Sequence, residues 1–317
     1  MKRILLGLIW ISLVARFASL IPAQFWLFEV SDNFSLYFAF VHFPALLILP
    51  FLKGTCRPSF FWLSGLALIV SLVSCGATLF PFYAPYRQPI LSCAHPHQLR
   101  ISLANVSSDN LNPAQAVLSL LDRGDDVVAL LEVASTGVEQ GKALYSHRIF
   151  AHQVEGLGIG VLSRYPLGAD PMLSLGDDIR PVMIVAPQLP DGATFRLAIF
   201  DALAPLENEA LYFNSLLTRR MAILLRHEVR TGVVLADLNA TPFSRFYKGF
   251  LKEAQLSDAR WGMGLSRTWD MQSSLARFTI DHAFVKGEVA VDSASVFPVP
   301  GSDHLGLALA IRVCGES

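Results

Sequence analysis

Charge is scarce in this chain of 317 residues: Asp, Glu, Lys and Arg make up 16%, against 53% hydrophobic residues. Ordinary soluble domains carry about 25% charged residues, so a chain bathed in water along its whole length is excluded. The deficit is concentrated near the start. Residues 4 to about 28, 34–52 and 60–80 form three apolar stretches, each near the roughly 20 residues a bilayer-spanning helix needs. Lys and Arg are missing from the loop between the first two stretches, which holds Glu29 and Asp32. They flank the other ends instead, as Lys2 and Arg3 before the first stretch and Lys53 and Arg57 between the second and third. The bias of basic residues toward the cytoplasmic side predicts a multi-pass membrane protein. Its N-terminus is then cytoplasmic, and residues after Phe80 lie on the periplasmic or extracellular side. The first stretch, "MKRILLGLIWISLVARFA", also has the basic start and small residues of a signal peptide. The two apolar segments that follow, and the snorkelling capacity of Arg16, favour an anchor.

A basic excess is missing as well. Of 25 basic and 26 acidic residues, 6 and 2 fall within residues 1–87, which leaves 19 and 24 for the remainder. That acidic balance makes the remainder a poor electrostatic partner for long duplex nucleic acid. Cysteine is limited to four residues: Cys56 and Cys75 lie in or beside the apolar stretches, while Cys93 and Cys314 bracket the rest. Spacing alone leaves open whether the outer two pair or are unrelated thiols. The part beyond the linker has no internal repeat and no low-complexity tract, so a solenoid or array is excluded.

What is present reads as an anchor over 1–80, a linker over 81–98 ("PFYAPYRQPILSCAHPHQ") and one domain over 99–317, long enough for a single large core. "LRISLANV", "DVVALLEV", "GLGIGVLSR", "PVMIVAPQL", "FRLAIF", "GVVLADL", "FTIDHAFV" and "LGLALAIRV" read as strands. "NPAQAVLSLLDRG" opens a helix with Asn112 as cap and Pro113 in the first position, and a second helix runs over about 207–230. The mixture predicts an α/β fold with two packed mixed sheets flanked by helices, rather than a doubly wound parallel sheet.

Polar residues recur at the strand ends. Asn105 follows "ISLA", Glu132 follows "VVALL", Asp237 and Asn239 follow "VVLA", Asp281 lies in "FTIDHAF", and Asp303 and His304 precede "LGLALA". Each has a local explanation: Asn105 can turn the chain, Asp237 and Asn239 can form an Asx turn before Pro242, Asp281 can pair with His282, and "PGSD" is a turn. Together, carboxylates with an amide oxygen form a hard donor set suited to Mg2+ or Mn2+ rather than zinc. His304 adds a group that handles protons.

In this order the segments "ISLANV", "DDVVALLEV", "GIGVLSRYPL", "VVLADLNATPFS", "LSDA", "SRTWD", "FTIDHAFV" and "GSDH" resemble the endonuclease/exonuclease/phosphatase superfamily, the DNase I-like group, over nearly all of residues 99–313. The resemblance implies a four-layer sandwich and a metal-dependent phosphoester hydrolase. It makes Glu132 the main metal ligand, with Asn105 and Asp303 helping to hold metal or phosphate. Asp237 and Asn239 would position and activate the attacking water and contact the phosphate, and Asp281 would orient His304. It gives His282 no catalytic role and makes Ser163 and Arg164 structural. It also pairs the first and last strands antiparallel, which would bring Cys93 beside Cys314 for a disulfide.

Three positions depart from the family pattern. Asp201, after "FRLAIF", stands where a histidine that contacts the phosphate is usual; Leu131 replaces a frequent glutamine, and Ala236 a frequent glycine. Two functions follow. One is a membrane-anchored Mg2+- or Mn2+-dependent phosphoesterase acting on nucleic acid or a lipid headgroup. The alternative, favoured by Asp201, is a catalytically impaired pseudoenzyme that keeps the fold as a binding or scaffold domain.

Overall fold

The computed structural model of the chain describes residues 2–20, 25–154, 157–168, 172–173, 182–269, 273 and 278–316. The N-terminal part is helical: α1 (Lys2–Phe17), α2 (Trp26–Asn33), α3 (Ser35–Ile48) and α4 (Pro58–Tyr83). Leu6, Ile9 and Leu13 of α1 pack with Ala45 of α3, Leu49 and Leu52 of the 3-10 turn that extends it, and Leu68 of α4. Among the described residues two helices are long and apolar enough to cross a membrane, Ser35–Leu52 and Pro58–Tyr83.

The first apolar stretch is not one helix to Phe28. α1 stops at Phe17, a 3-10 turn covers Ala18–Leu20, and α2 begins afresh at Trp26. α2 carries Glu29, Asp32 and Asn33, which water or polar partners must satisfy. Accordingly, α2 turns toward the following domain. Glu29 accepts hydrogen bonds from the Arg245 side chain at 3.2 Å and the Phe246 amide at 3.3 Å. The Asn33 side-chain oxygen accepts from the Thr241 amide and hydroxyl at 2.8 and 3.0 Å. α4 also ends on the domain, its Pro81 and Phe82 carbonyls accepting from the Gly262 and Gly264 amides. Gly262 has φ +79°, and a Cβ there would lie 2.9 Å from that of Tyr86, so only glycine permits this approach.

The domain has strands β1 (His97–Asn105), β2 (Val127–Ala134), β3 (His147–Val154), β4 (Leu157–Ser163), β5 (Met172–Leu173), β6 (Val182–Val185), β7 (Arg196–Asp201), β8 (Gly232–Asp237), β9 (Ser257–Asp258), β10 (Asp281–Lys286), β11 (Val289–Pro298) and β12 (Leu305–Val313). Its helices are α5 (Pro113–Asp122), α6 (Ser135–Gln140), α7 (Asn208–Glu228) and α8 (Arg245–Ala254). The strands form two mixed sheets, ordered β11-β12-β1-β2-β4-β3 and β5-β6-β7-β8-β10-β9.

Two-residue periodicity divides each strand between two cores. On β8, Val233 and Leu235 face the other sheet, whereas Val234 and Ala236 face Met221 and Leu225 of α7 and Phe250 of α8. On β1, Ile101 and Leu103 face the inter-sheet core, and Ala104 meets Val117 and Leu120 of α5. The result is the expected four-layer sandwich, with helices on both outer faces. Strands β1 and β12 pair antiparallel with His97 opposite Val313. Just beyond that pair, Cys93 and Cys314 form a disulfide, with Cα atoms 5.8 Å apart. Cys56 and Cys75 are free.

Candidate active site

The alternation that builds the inter-sheet core also aims the polar residues that close it at one end. Asn105 continues the inward series Ile101, Leu103; Asp201 continues Leu197, Ile199; Asp237 continues Val233, Leu235; and Asp281 precedes Ala283, Val285. All four are buried. Glu132 needs a different device. Leu131 faces inward and both Leu130 and Val133 face α5 and α6, so simple alternation would send Glu132 outward. Instead, the β2–β4 register shifts between Leu130 and Val133, and Glu132 adopts φ 51°. This bulge turns the carboxylate into the site, a left-handed conformation that a non-glycine residue adopts only where the surroundings enforce it.

The contacts join these residues into one network. The Asn105 side-chain NH2 donates to Glu132 Oε1 at 2.9 Å and to Asp237 Oδ2 at 3.3 Å. The second Glu132 oxygen accepts from the Ser108 amide at 2.7 Å. Asp237 Oδ1 accepts from the Asn239 amide, and the Asn239 side-chain NH2 donates to the Ala202 carbonyl, both at 2.8 Å. Asn239, with φ 48°, therefore ties the end of β8 to the end of β7. His304 Nδ1 lies 2.9 Å from Asp281 Oδ2 and 3.9 Å from Asp237 Oδ2. Asp303 accepts from the indole N–H of Trp269 at 2.8 Å, and the Trp269 ring sits beside that of His304, with centroids 6.4 Å apart.

The electrostatics are severe. Asp201 and Asp281 are the register partners of Asp237 on its two sides, so three aspartates stand in a row across β7, β8 and β10. Burial, then the neighbouring Asp281 charge, hold the Asp237 carboxyl well above the ordinary range; Asp201 adds to this and His304 opposes it. For His304, burial disfavours the cation, but Asp281, through charge and hydrogen bond, together with Asp237 and Asp303, outweighs it and raises the imidazole to about 10.

A divalent cation fits these residues. One ligand atom each from Asp237, Asp281 and His304 falls within a span of 4.8 Å. Asp281 Oδ1 is buried without a hydrogen-bond partner, an orphan acceptor that a cation would satisfy. Hard oxygen donors suit Mg2+ or Mn2+. Glu132 and Asp303 lie outside that compact trio; Glu132 reaches it through Asn105.

Asn105, Glu132, Asp237, Asn239, Asp281 and His304 lie in one bonded cluster, and Asp303 stands beside it through Trp269. The sequence patterns give no role to Trp269, Thr268 or Ser302. Thr268 Oγ1 accepts from the amides of Ile280 and Asp281 at 3.1 and 3.0 Å. Ser302 accepts from the His304 amide at 3.0 Å and donates to the Asn105 carbonyl at 2.9 Å. "SRTWD" and "GSDH" contain all three residues, but no pattern along the chain reports such cross-chain bonds. His282, expected to be uninvolved in catalysis, is buried behind the site. Its Nε2 faces the Ala240 carbonyl at 2.8 Å and its Nδ1 faces Arg260 at 2.6 Å.

A sandwich of two mixed sheets with a carboxylate, amide and histidine cluster at one end defines a DNase I-like protein. The family model described as "Endonuclease/Exonuclease/phosphatase family" matches residues 103–304, and the chain belongs to that family. Its members are typically hydrolases of phosphoester bonds and generally use divalent metals. Solved structures share the fold at low identity. The endonuclease/exonuclease/phosphatase from Beutenbergia cavernae is 19% identical, with TM-score 0.58 over 69% of this chain and 72% of that one. D. rerio TDP2 complexed with single-strand DNA product is 17% identical, with TM-score 0.55 over 68% and 98%. The human Nocturnin catalytic domain with bound sulfate is 17% identical, with TM-score 0.54 over 72% and 97%. No curated protein matches the chain.

Proposed function

We propose that the chain is a membrane-anchored, Mg2+- or Mn2+-dependent phosphoester hydrolase whose catalytic domain faces the periplasm or exterior. The observation that carries the enzymatic reading is the buried row of Asp237 and Asp281 beside His304, with an unpartnered Asp281 oxygen. A bound divalent ion would neutralise charge on the phosphoryl oxygens and on the aspartate row. Asp237 and Asp281 would hold it, with the Asn105 NH2 fixing the Asp237 carboxylate and tied in turn to Glu132. Asp281 holds His304 through Nδ1, which leaves Nε2 to donate a proton to, or take one from, an oxygen on phosphorus. Asn239 and Asp237 share one turn and orient the attacking water. The reaction is hydrolysis: water forms a new P–O bond as the ester P–O bond breaks, with the leaving oxygen taking a proton.

The membrane reading is supported by the arrangement of helices. α3 starts and α4 ends on the domain side, so Lys53 and Arg57 lie at the far end of both. α1 with its 3-10 extension has 16 and 3 residues, about 30 Å at helical rises, enough for a third span. Lys2 and Arg3 then join Lys53 and Arg57 on the cytoplasmic side. A disulfide at Cys93–Cys314 agrees with an oxidising compartment for the domain. Asp201 favours the second reading, a fold kept for binding. A panel of phosphodiesters and monoesters, nucleic and lipidic, incubated with the full chain and Mg2+ or Mn2+, distinguishes them. Metal-dependent turnover abolished by His304→Ala supports the hydrolase, and metal binding without turnover supports the scaffold. Reporter fusions after residue 90 test sidedness: cytoplasmic reporter activity would overturn the topology.

A further inference from the structure

A cavity of about 260 Å³ lies where the N-terminal helices meet the catalytic domain. One wall is Leu36, Tyr37 and Phe40 of α3 with Leu79 and Tyr83 of α4, and the other includes Pro242, Phe243 and Phe278. The domain wall is built from the site's own segments. Thr241 to Phe243 continue the turn that carries Asp237 and Asn239, and Thr279 is two residues before Asp281.

A file of rings connects the cavity to the site. His304 neighbours Trp269 at 6.4 Å between centroids, Trp269 stacks on Phe278 at 6.1 Å, and Phe278 meets Phe34 at 5.0 Å and Tyr37 at 5.4 Å. An apolar path therefore runs from the candidate catalytic histidine to the helices of the anchor. Arg267 also lines the cavity and is exposed. No hydrogen bond or ion pair joins its guanidinium to another described residue, so it is available to an anionic headgroup. The acidic balance of the domain disfavours a long polyanion, whereas a single phosphate on an apolar tail needs only one cation and a greasy wall.

We infer that this cleft holds the alkyl chain of an amphiphilic phosphoester drawn from the bilayer, with its phosphate in the carboxylate and histidine site. The inference rests on the hydrolase reading and adds the substrate class. The cavity is below the roughly 300–1,000 Å³ usual for whole drug-sized ligands, so it suits one stretch of chain rather than a complete lipid.

The test uses the full chain in nanodiscs with Mg2+ or Mn2+ and a series of alkyl 4-nitrophenyl phosphodiesters from methyl to octyl. Release of 4-nitrophenolate is followed. If the cleft holds the chain, kcat/KM rises with length by up to about fourfold per methylene until the cavity is full. In Leu36→Trp and Leu79→Trp, each filling the cavity from a different helix, the octyl-to-methyl ratio collapses toward one. Because the ratio is internal to each preparation, partial loss of active protein does not imitate it. A flat series in the unaltered protein overturns the inference and leaves the hydrolase reading standing. So does a rise that persists in both variants, which is what mere partitioning into the bilayer would give. Absence of turnover for every member overturns both.

Discussion

Asp201 and Asp237 are register partners on the parallel strands β7 and β8, both buried, with Asp281 on the other side of Asp237. Like charges directly across a strand pair destabilise a sheet, and no stability argument favours three in a row. Such a row is tolerated when a cation belongs among them. In metal-free buffer Asp201→Asn should therefore raise stability by about 0.5–1 kcal/mol, measured by thermal unfolding. Asp201→His should raise phosphodiester turnover by restoring a donor where charge redistributes, a contribution of about a hundredfold to a thousandfold in comparable sites. A fall in turnover would make Asp201 a working ligand or base.

Glu132 and His304 occupy different places in the network, and their removal should separate. Glu132 anchors the Asn105 amide and the Ser108 amide. Glu132→Gln puts an NH2 against one of these donors and should weaken divalent-metal binding about tenfold or more. His304→Ala should leave metal binding nearly intact while turnover falls by about a hundredfold to ten-thousandfold, the usual contribution of a proton-handling group. Equal loss of metal from both variants would show that the imidazole is itself a ligand.

The strand-end positions of Asn105, Asp237 and Asp281 were legible because they continue an inward series of apolar residues with period two. That same rule misplaces Glu132. Its carboxylate reaches the site only through a bulge, and "ALLEVA" carries no glycine or proline to announce one. Strands β3 and β11 were not read, since "HRIFAHQV" and "VAVDSASVFP" lack the uninterrupted β-branched run of their neighbours and form through pairing with β4 and β12. The break in the first apolar stretch was hidden because no charged residue interrupts the run between Arg16 and Glu29, and Glu29, Asp32 and Asn33, just beyond it, read as a loop. Their polarity is used in docking on Thr241 and Arg245, a relation that exists only once the domain has folded. Trp269 was illegible for the same reason: its partner Asp303 is 34 residues away.

The disulfide spans 221 residues and closes the domain from its first strand to its last. In the chain-entropy view a loop of that length removes the most freedom from the unfolded chain. Cys93→Ser with Cys314→Ser should lower stability by about 2–5 kcal/mol, measured by denaturant unfolding. The metal site should be little affected, because β1 and β12 remain paired along seven register positions from His97 to Leu103. A double variant as stable as the parent would mean that the linker is already held by its other bonds, such as those donated by the Val291 amide to the Gln88 side chain and by the Ser92 amide to the Glu288 side chain.

The His304–Asp281 pair carries a pH signature that can be read without substrate. The folded imidazole is raised to about 10, whereas in the unfolded chain it titrates near 6.5. A group raised on folding contributes stability that is fully present below its unfolded pKa and is lost as pH rises through its folded one. With metal removed by chelation, the stability gap between the parent and His304→Asn should thus be largest below pH ~6.5. It should shrink steadily toward pH ~10, as the parent's imidazolium loses its proton beside Asp281 and Asp237. Thermal unfolding of the two proteins across that range measures the gap, and groups common to both largely cancel in the difference. Adding Mn2+ should shift the pattern, since a cation among Asp237 and Asp281 weakens the field that holds the proton on His304. A gap independent of pH would mean that His304 is neutral in the folded protein and that its hydrogen bond to Asp281 is made by an uncharged ring.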